Sequence, residues 1–167
     1  MSELGIKAKF MGGDGMQTPN FIKLAGDASA EGTMASMPGL PKDQMPGGAK
    51  FLEKFKGKFN TEVELFAPMG YDAVFVFIEA MKRAKSTDPA KFLPEVAKTD
   101  YKGVIGPIAF DDKGDLKNGP ITVYVVKGGK WETMEVVTPG GAPEAKPADA
   151  PAPAAAEPAK AAEPAKK

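Results

Sequence analysis

The chain contains neither cysteine nor histidine. The first absence removes disulfides, thiol nucleophiles and zinc thiolates, and leaves the redox compartment unreadable. The second removes the Ser-His-Asp relay and imidazole metal sites. Net charge is lacking too: 22 Lys and Arg balance 22 Asp and Glu, so no overall field draws the chain to nucleic acid or anionic lipid. No run of basic residues interleaved with aromatics replaces that field, and nucleic acid is not an expected partner. No segment approaches the roughly eighteen apolar residues of a membrane span. The start, "MSELGIKAKF", lacks the charged head and apolar core of a signal peptide. If the sequence is complete, the expected location is therefore the cytoplasm. Carboxylate, lysine and tyrosine chemistry stays open, but most familiar hydrolytic designs are gone. A protein without catalysis, cofactor or metal is the expectation.

What is present divides into two compositions. Residues 1–137 carry the large apolar side chains, whereas residues 138–167 are almost entirely Ala, Pro, Glu and Lys, with "AAEPAK" repeated at Ala155–Lys160 and Ala161–Lys166. Frequent proline prevents a continuous helix and nothing there is large enough to bury, so a disordered tail is expected.

Within the first part, Ile6–Met11 reads as a strand entering "GGDG". Thr18 as cap, Pro19 at the first helical position and Gly26 as stop then bracket a helix. Gly32–Met37 reads as a second strand, giving a β-loop-α-β rhythm with parallel neighbours. Ala49–Phe59 repeats Phe51, Leu52, Phe55 and Phe59 at helical spacing. Thr61–Phe66 reads as extended, and Gly70–Ala84 as a buried helix, because its apolar run is too long for one strand. Asp88 and Pro89 start a further helix that Pro94 is expected to bend or restart. From Gly103 the pattern becomes β: a strand at Val104–Phe110, a turn in "DDKGDLKNG", then Ile121–Val126 and Lys130–Val137 joined by the two-residue hairpin in "KGGK". The expected fold class is mixed α/β with antiparallel C-terminal strands.

Candidate sites are few. "GGDG" between strand and helix has the topology of a phosphate cradle but neither known phosphate-binding spacing, and its aspartate would repel phosphate. Asp14 is better suited to accept an ammonium group by a charge-assisted hydrogen bond. The flanking Gly13 and Gly15 would leave it uncrowded and open the backbone to a ligand. The alternative, a turn aspartate bonding its own backbone, stands beside that reading. Asp111, Asp112 and Asp115 lack the alternation and closing glutamate of a calcium loop and read as a turn. Neither Glu62 with Glu64 nor Glu132 with Glu135 makes an acid/base pair. Phe66 and Tyr71, flanking "APMG", read as core aromatics.

The segments "ELGIKAKFMGGDGMQTPNFIKLAG", "AEGTMASMPGLP", "ELFAPMGYDAVFVFIEAMKRA" and "LPEVAKTDYKGVIGPIAFDDKGDLKNGPITVYVVKGGKWETMEVV" together resemble the C-terminal half of a Leu/Ile/Val-binding protein. This is the type I periplasmic solute-binding protein of branched-chain amino-acid ABC transporters. The likeness runs from about Glu3 to about Val137. It implies a partial type I periplasmic-binding-protein fold, drawn from two α/β lobes that close on an amino acid. It also implies a periplasmic location, a membrane permease as partner and, since the first lobe's sequence is not among these residues, a missing N-terminal lobe. By the same resemblance Asp14 occupies the acidic position that holds the ligand's ammonium group. Phe66 occupies an aromatic position near the ligand, whereas Tyr71 packs. The expected unit is a truncated member of the family that binds Leu, Ile or Val; the alternative is a non-binding remnant or interaction module.

Overall fold

The computed structural model describes residue 1, residues 4–64 and residues 66–139. The expected Ala/Pro tail thus lies, but for its first two residues, outside the described residues.

The first elements follow the expected rhythm. Strand β1 (Met11–Gly12) leads through a 3-10 turn (Asp14–Met16) into helix α1 (Pro19–Ala25). Thr18 Oγ1 accepts from Phe21 N, and Gly26, at φ +79°, ends the helix as only a residue free of Cβ does cheaply. A short helix α2 (Asp27–Ala30) then leads to strand β2 (Met34–Pro38), which runs parallel to β1. Strand pairing begins later than expected: Ile6 and Phe10 are exposed, and only Met11 and Gly12 join the ladder. The preceding residues have no second neighbour, because β1 lies at the edge of the sheet.

Strands β5 (Ile121–Lys127) and β6 (Lys130–Val137) complete a four-stranded sheet in the order β1-β2-β5-β6, with every pairing after the first antiparallel. Gly128 and Gly129, at φ +54° and +74°, form the expected two-residue turn. Register places Ala35, Met37, Thr122, Tyr124 and Val126 on one face. On that face Val126 packs with Ile22 and Ala30, and Phe21 and Trp131 close the edge of the cluster. Trp131 sits directly across from Val126, its ring 5.8 Å from that of Phe21.

The middle of the chain is helical: α3 (Gly48–Phe59), α4 (Ala67–Ala84) and α5 (Pro89–Val96). Asp88 caps α5 by accepting from Ala90 N at 3.0 Å. That helix runs through Pro94 unbroken and ends two residues later, so Pro94 neither restarts nor interrupts it. Of Thr61–Phe66, read as extended, no described residue joins a strand ladder, and Phe66 lies in the turn that starts α4. α4 also differs from the expectation of burial. Val74, Phe77 and Ile78 stay 56%, 43% and 36% exposed on one side, while Asp72, Val76 and Ala80 are buried on the other.

A second, two-stranded sheet pairs β3 (Asp100–Lys102) with β4 (Pro107–Ala109). The strand expected over Val104–Phe110 is thereby shortened. Val104 and Ile105 form the turn between these strands, closed by the Gly103 and Gly106 backbones, and Phe110 makes only an isolated bridge to Leu116. In the following loop, Asp111 Oδ1 accepts from both Lys113 N and Asp115 N at 2.9 Å, an aspartate turn as expected. No helix among the described residues is long and apolar enough to cross a membrane.

Candidate functional site

Asp14 follows the C-terminal end of β1, the position at which open α/β sheets present ligand-contacting loops. The loop is a tight 3-10 turn: Met16 N donates to Gly13 O and Gln17 N to Asp14 O. Asp14 Oδ1 accepts from Gly15 N at 2.8 Å. That bond engages one carboxylate oxygen, and among the described residues no lysine or arginine pairs with Asp14. The side chain is half-buried. A negative group in this state has accepting capacity left for an incoming donor.

The three glycines of the loop do different work. A Cβ on Gly13 or Gly15 would meet nothing within 4 Å. The surroundings of Asp14 are therefore open, as an approaching ligand requires. At Gly12 a Cβ would fall 1.9 Å from Met16 Sδ. Met16 folds back onto the end of β1, and that contact closes the turn carrying Asp14. Sequence reading singled out Gly13 and Gly15, yet the position where a side chain would displace a neighbour is Gly12.

Phe66 caps the N-terminal end of α4, where its carbonyl accepts from Gly70 N at 2.9 Å, and the residue is 43% exposed. The next turn reaches the sheet: a Cβ on Gly39, just beyond β2, would lie 2.9 Å from Met69 Cε. Asp14 and the start of α4 thus lie toward the same, C-terminal end of the parallel strands. They are staggered along it. The end of β1 is level with Ala35, and Gly39 is four residues farther, ~13 Å of extended chain. No hydrogen bond joins Asp14 to Phe66 among the described residues. Tyr71 packs, as expected, with its ring 5.3 Å from Phe51 and 4.8 Å from Phe75.

Sequence reading missed two features. One is Asp72, 1% exposed in α4, whose carboxylate accepts from Val104 N and Ile105 N at 2.9 Å each. Burial raises its pKa above the ordinary 3.8, and the two backbone donors oppose that rise. A lone charge inside the apolar run "GYDAVFVFI" was the available signal. The other is a cavity of about 670 Å³ bounded by α1, the β5–β6 turn and residues 62–64, and lined by neither Asp14 nor Phe66.

A family model described as a periplasmic binding protein matches residues 1–130. The chain belongs to the periplasmic binding protein family. It is 34% identical over 122 residues to the leucine-, isoleucine-, valine-, threonine- and alanine-binding protein of Pseudomonas aeruginosa, covering 73% of this chain and 32% of that one. It is 35% identical over 135 residues to Leu/Ile/Val-binding protein homolog 1 of Brucella abortus, covering 79% and 34%. The chain thus spans about a third of the length of these curated relatives. Among solved structures, the leucine-binding protein LivK of Thermotoga maritima superposes with a TM-score of 0.71 at 30% identity, over 83% of this chain and 39% of that one. LivJ of Streptococcus pneumoniae, solved with isoleucine, gives 0.66 at 26% identity over the same shares. The mixed α/β architecture read from the sequence is that of a periplasmic binding protein.

Proposed function

We propose that this chain carries part of the ligand grip of a branched-chain amino-acid-binding protein serving an ABC transporter in the periplasm. Its relatives at 34–35% identity are named for binding these amino acids. The observation that carries the reading is the state of Asp14: at the end of a parallel strand, unpaired by any described cation, in a loop whose flanking glycines open onto free space. In this reading Asp14 accepts the ammonium group of Leu, Ile or Val. Gly13 and Gly15 let the ligand close on the backbone, and Phe66, toward the same end of the parallel strands, is the aromatic group of the site. Binding is the whole of the activity, with no chemistry performed on the ligand, and the partner on the membrane is the permease.

The test is thermal unfolding followed by circular dichroism, with and without a large excess of L-leucine. A ligand that binds the folded form alone raises the transition by mass action. The expected result is a rise with leucine that is smaller in Asp14→Ala. A rise of equal size in Asp14→Ala would remove Asp14 from the site, and no rise in either chain would leave this chain without a grip of its own.

A specific observation favours a second reading. Val74, Phe77 and Ile78 form an exposed apolar stripe on α4, and such a face invites a packing partner. In that reading the chain is a module that pairs with a separately supplied N-terminal lobe or with itself. Co-purification with the first lobe of a Leu/Ile/Val-binding protein, lost on Val74→Lys, would support it. Equal recovery of both chains would count against it.

A further inference from the structure

The cavity beside α1 is independent of Asp14, and its chemistry points to a ligand. Its volume, about 670 Å³, falls in the range of small-molecule sites. Its apolar lining includes Pro19 and Trp131, with the buried Ile22 and Val63 beneath them. The indole is fixed at two points: Nε1 donates to Thr18 O at 3.0 Å, and the ring leans on Phe21. A flat apolar surface held in this way loses little freedom when a ligand covers it.

The charges around it sort by wall. On the side of α1, α2 and the hairpin stand Lys23, Asp27 and Lys130, with Asp27 close against Gly129. On the facing side are Lys42, Glu62 and Glu64. Two of these groups are already engaged, since Lys42 Nζ donates to Val63 O and Glu62 pairs with Lys56. Among the described residues the other four, Lys23, Lys130, Asp27 and Glu64, form no ion pair. Two cations and two anions remain without a partner among the described residues, and Lys42, bonded only to a neutral carbonyl, keeps its positive charge. A ligand of one sign would meet repulsion as well as attraction, whereas a dipolar ligand can satisfy both.

We propose that this cavity is a second binding site, for a small zwitterion with an apolar side chain. Its carboxylate faces Lys23 and Lys130, its ammonium faces Glu64, and its side chain covers Trp131, Ile22 and Val63. The inference does not rest on the Asp14 reading, and the two sites fail separately.

Trp131 is the only tryptophan in the chain and its ring lines this cavity, so its fluorescence is a probe of a ligand there. The experiment titrates the full chain with L-leucine and L-phenylalanine, and with two analogues of leucine that each lack one charge, isoamylamine and 4-methylpentanoate. The expected result is a saturable change in emission with the amino acids, weakened about tenfold or more for either analogue. Asp14→Ala leaves that change intact. Glu64→Gln, and separately Lys23→Gln with Lys130→Gln, weaken it by a similar factor while the far-ultraviolet circular dichroism of the chain is unaltered. No saturable change at millimolar amino acid would overturn the proposal. So would a change lost in Asp14→Ala but kept in Glu64→Gln, because Trp131 would then be sensing the loop of Asp14 from a distance. Equal affinity for leucine and 4-methylpentanoate would also overturn it, showing a simple anion site.

Discussion

Asp72 and Gly103 are packed so closely that a Cβ on the glycine would lie 2.4 Å from Asp72 Oδ2. The contact lets the carboxylate reach over Gly103 to the backbone donors of Val104 and Ile105. Val104 in turn accepts from Gly47 N at 3.0 Å, just before α3. One buried carboxylate therefore ties α4 to the β3–β4 turn, and that turn to the start of α3. Gly103→Ala forces the carboxylate away from both donors. We expect a loss of about 1–3 kcal/mol, the usual cost of overpacking a tight contact. Urea denaturation reads it as a lower midpoint at unchanged slope. A midpoint within error of the parent would show that α4 and the turn can part at no cost.

Burial raises the pKa of Asp72 above its ordinary 3.8, so the folded chain holds this proton more tightly than the unfolded one. The group adds stability as pH falls through the window between the raised value and 3.8, and that increment is lost as pH rises back through it. Asp72→Asn does not titrate and serves as the reference. We expect the urea midpoint of the parent to gain on that of Asp72→Asn as the pH is lowered from about 7 to about 4. The opposite trend would mean that the donors of Val104 and Ile105 outweigh burial and hold the carboxylate ionised.

Local chemistry explains which parts of the fold were legible in the sequence. Thr18, Pro19 and Gly26 each act on their own backbone neighbours, and they bracket α1 where expected. Two consecutive glycines with positive φ define the β5–β6 turn without reference to anything distant. Asp72 was passed over for the opposite reason. Its partners are 32 and 33 residues away, and no local pattern announces them. The burial expected of α4 failed likewise, since composition reveals that a helix is apolar but not whether both sides find neighbours. At the candidate site, the acidic loop was visible as "GGDG". The role of Gly12 was not, because it depends on where the flexible side chain of Met16 comes to rest.

That dependence is testable. The ideal Cβ of an alanine at position 12 overlaps Met16 Sδ at 1.9 Å, but the thioether is the far end of a flexible side chain and can swing away. Gly12→Ala alone should therefore cost about 1 kcal/mol, the low end for overpacking, as Met16 leaves its seat and the turn of Asp14 is unseated. Met16→Ala removes the obstacle. A double-mutant cycle by urea denaturation should show the pair less destabilised than the sum of the singles, with a coupling of about 1 kcal/mol. Strict additivity would mean that Met16 does not rest on Gly12 in solution.

The exposed side of α4 gives the last prediction. Val74, Phe77 and Ile78 do not contribute equally to it. Phe77 meets the ring of Phe92 edge-on at 6.1 Å, so it is partly committed to holding α5 in place and is a poor site for a charge. Val74 and Ile78 are one helical turn apart on the free side. Lysines there should leave the folded structure alone, as surface changes away from caps and clefts alter stability by about 0.5 kcal/mol or less. Their effect should appear between molecules, because an apolar stripe in water lowers its free energy by pairing. Sedimentation velocity of the parent chain should show mass rising with concentration, and Val74→Lys with Ile78→Lys should hold the chain at the monomer mass over the same range. Phe77→Ala should instead lower the thermal transition by loosening α5. If the parent is monomeric throughout, the stripe is not sticky enough to drive self-association, and the module reading would then depend on a different chain as partner.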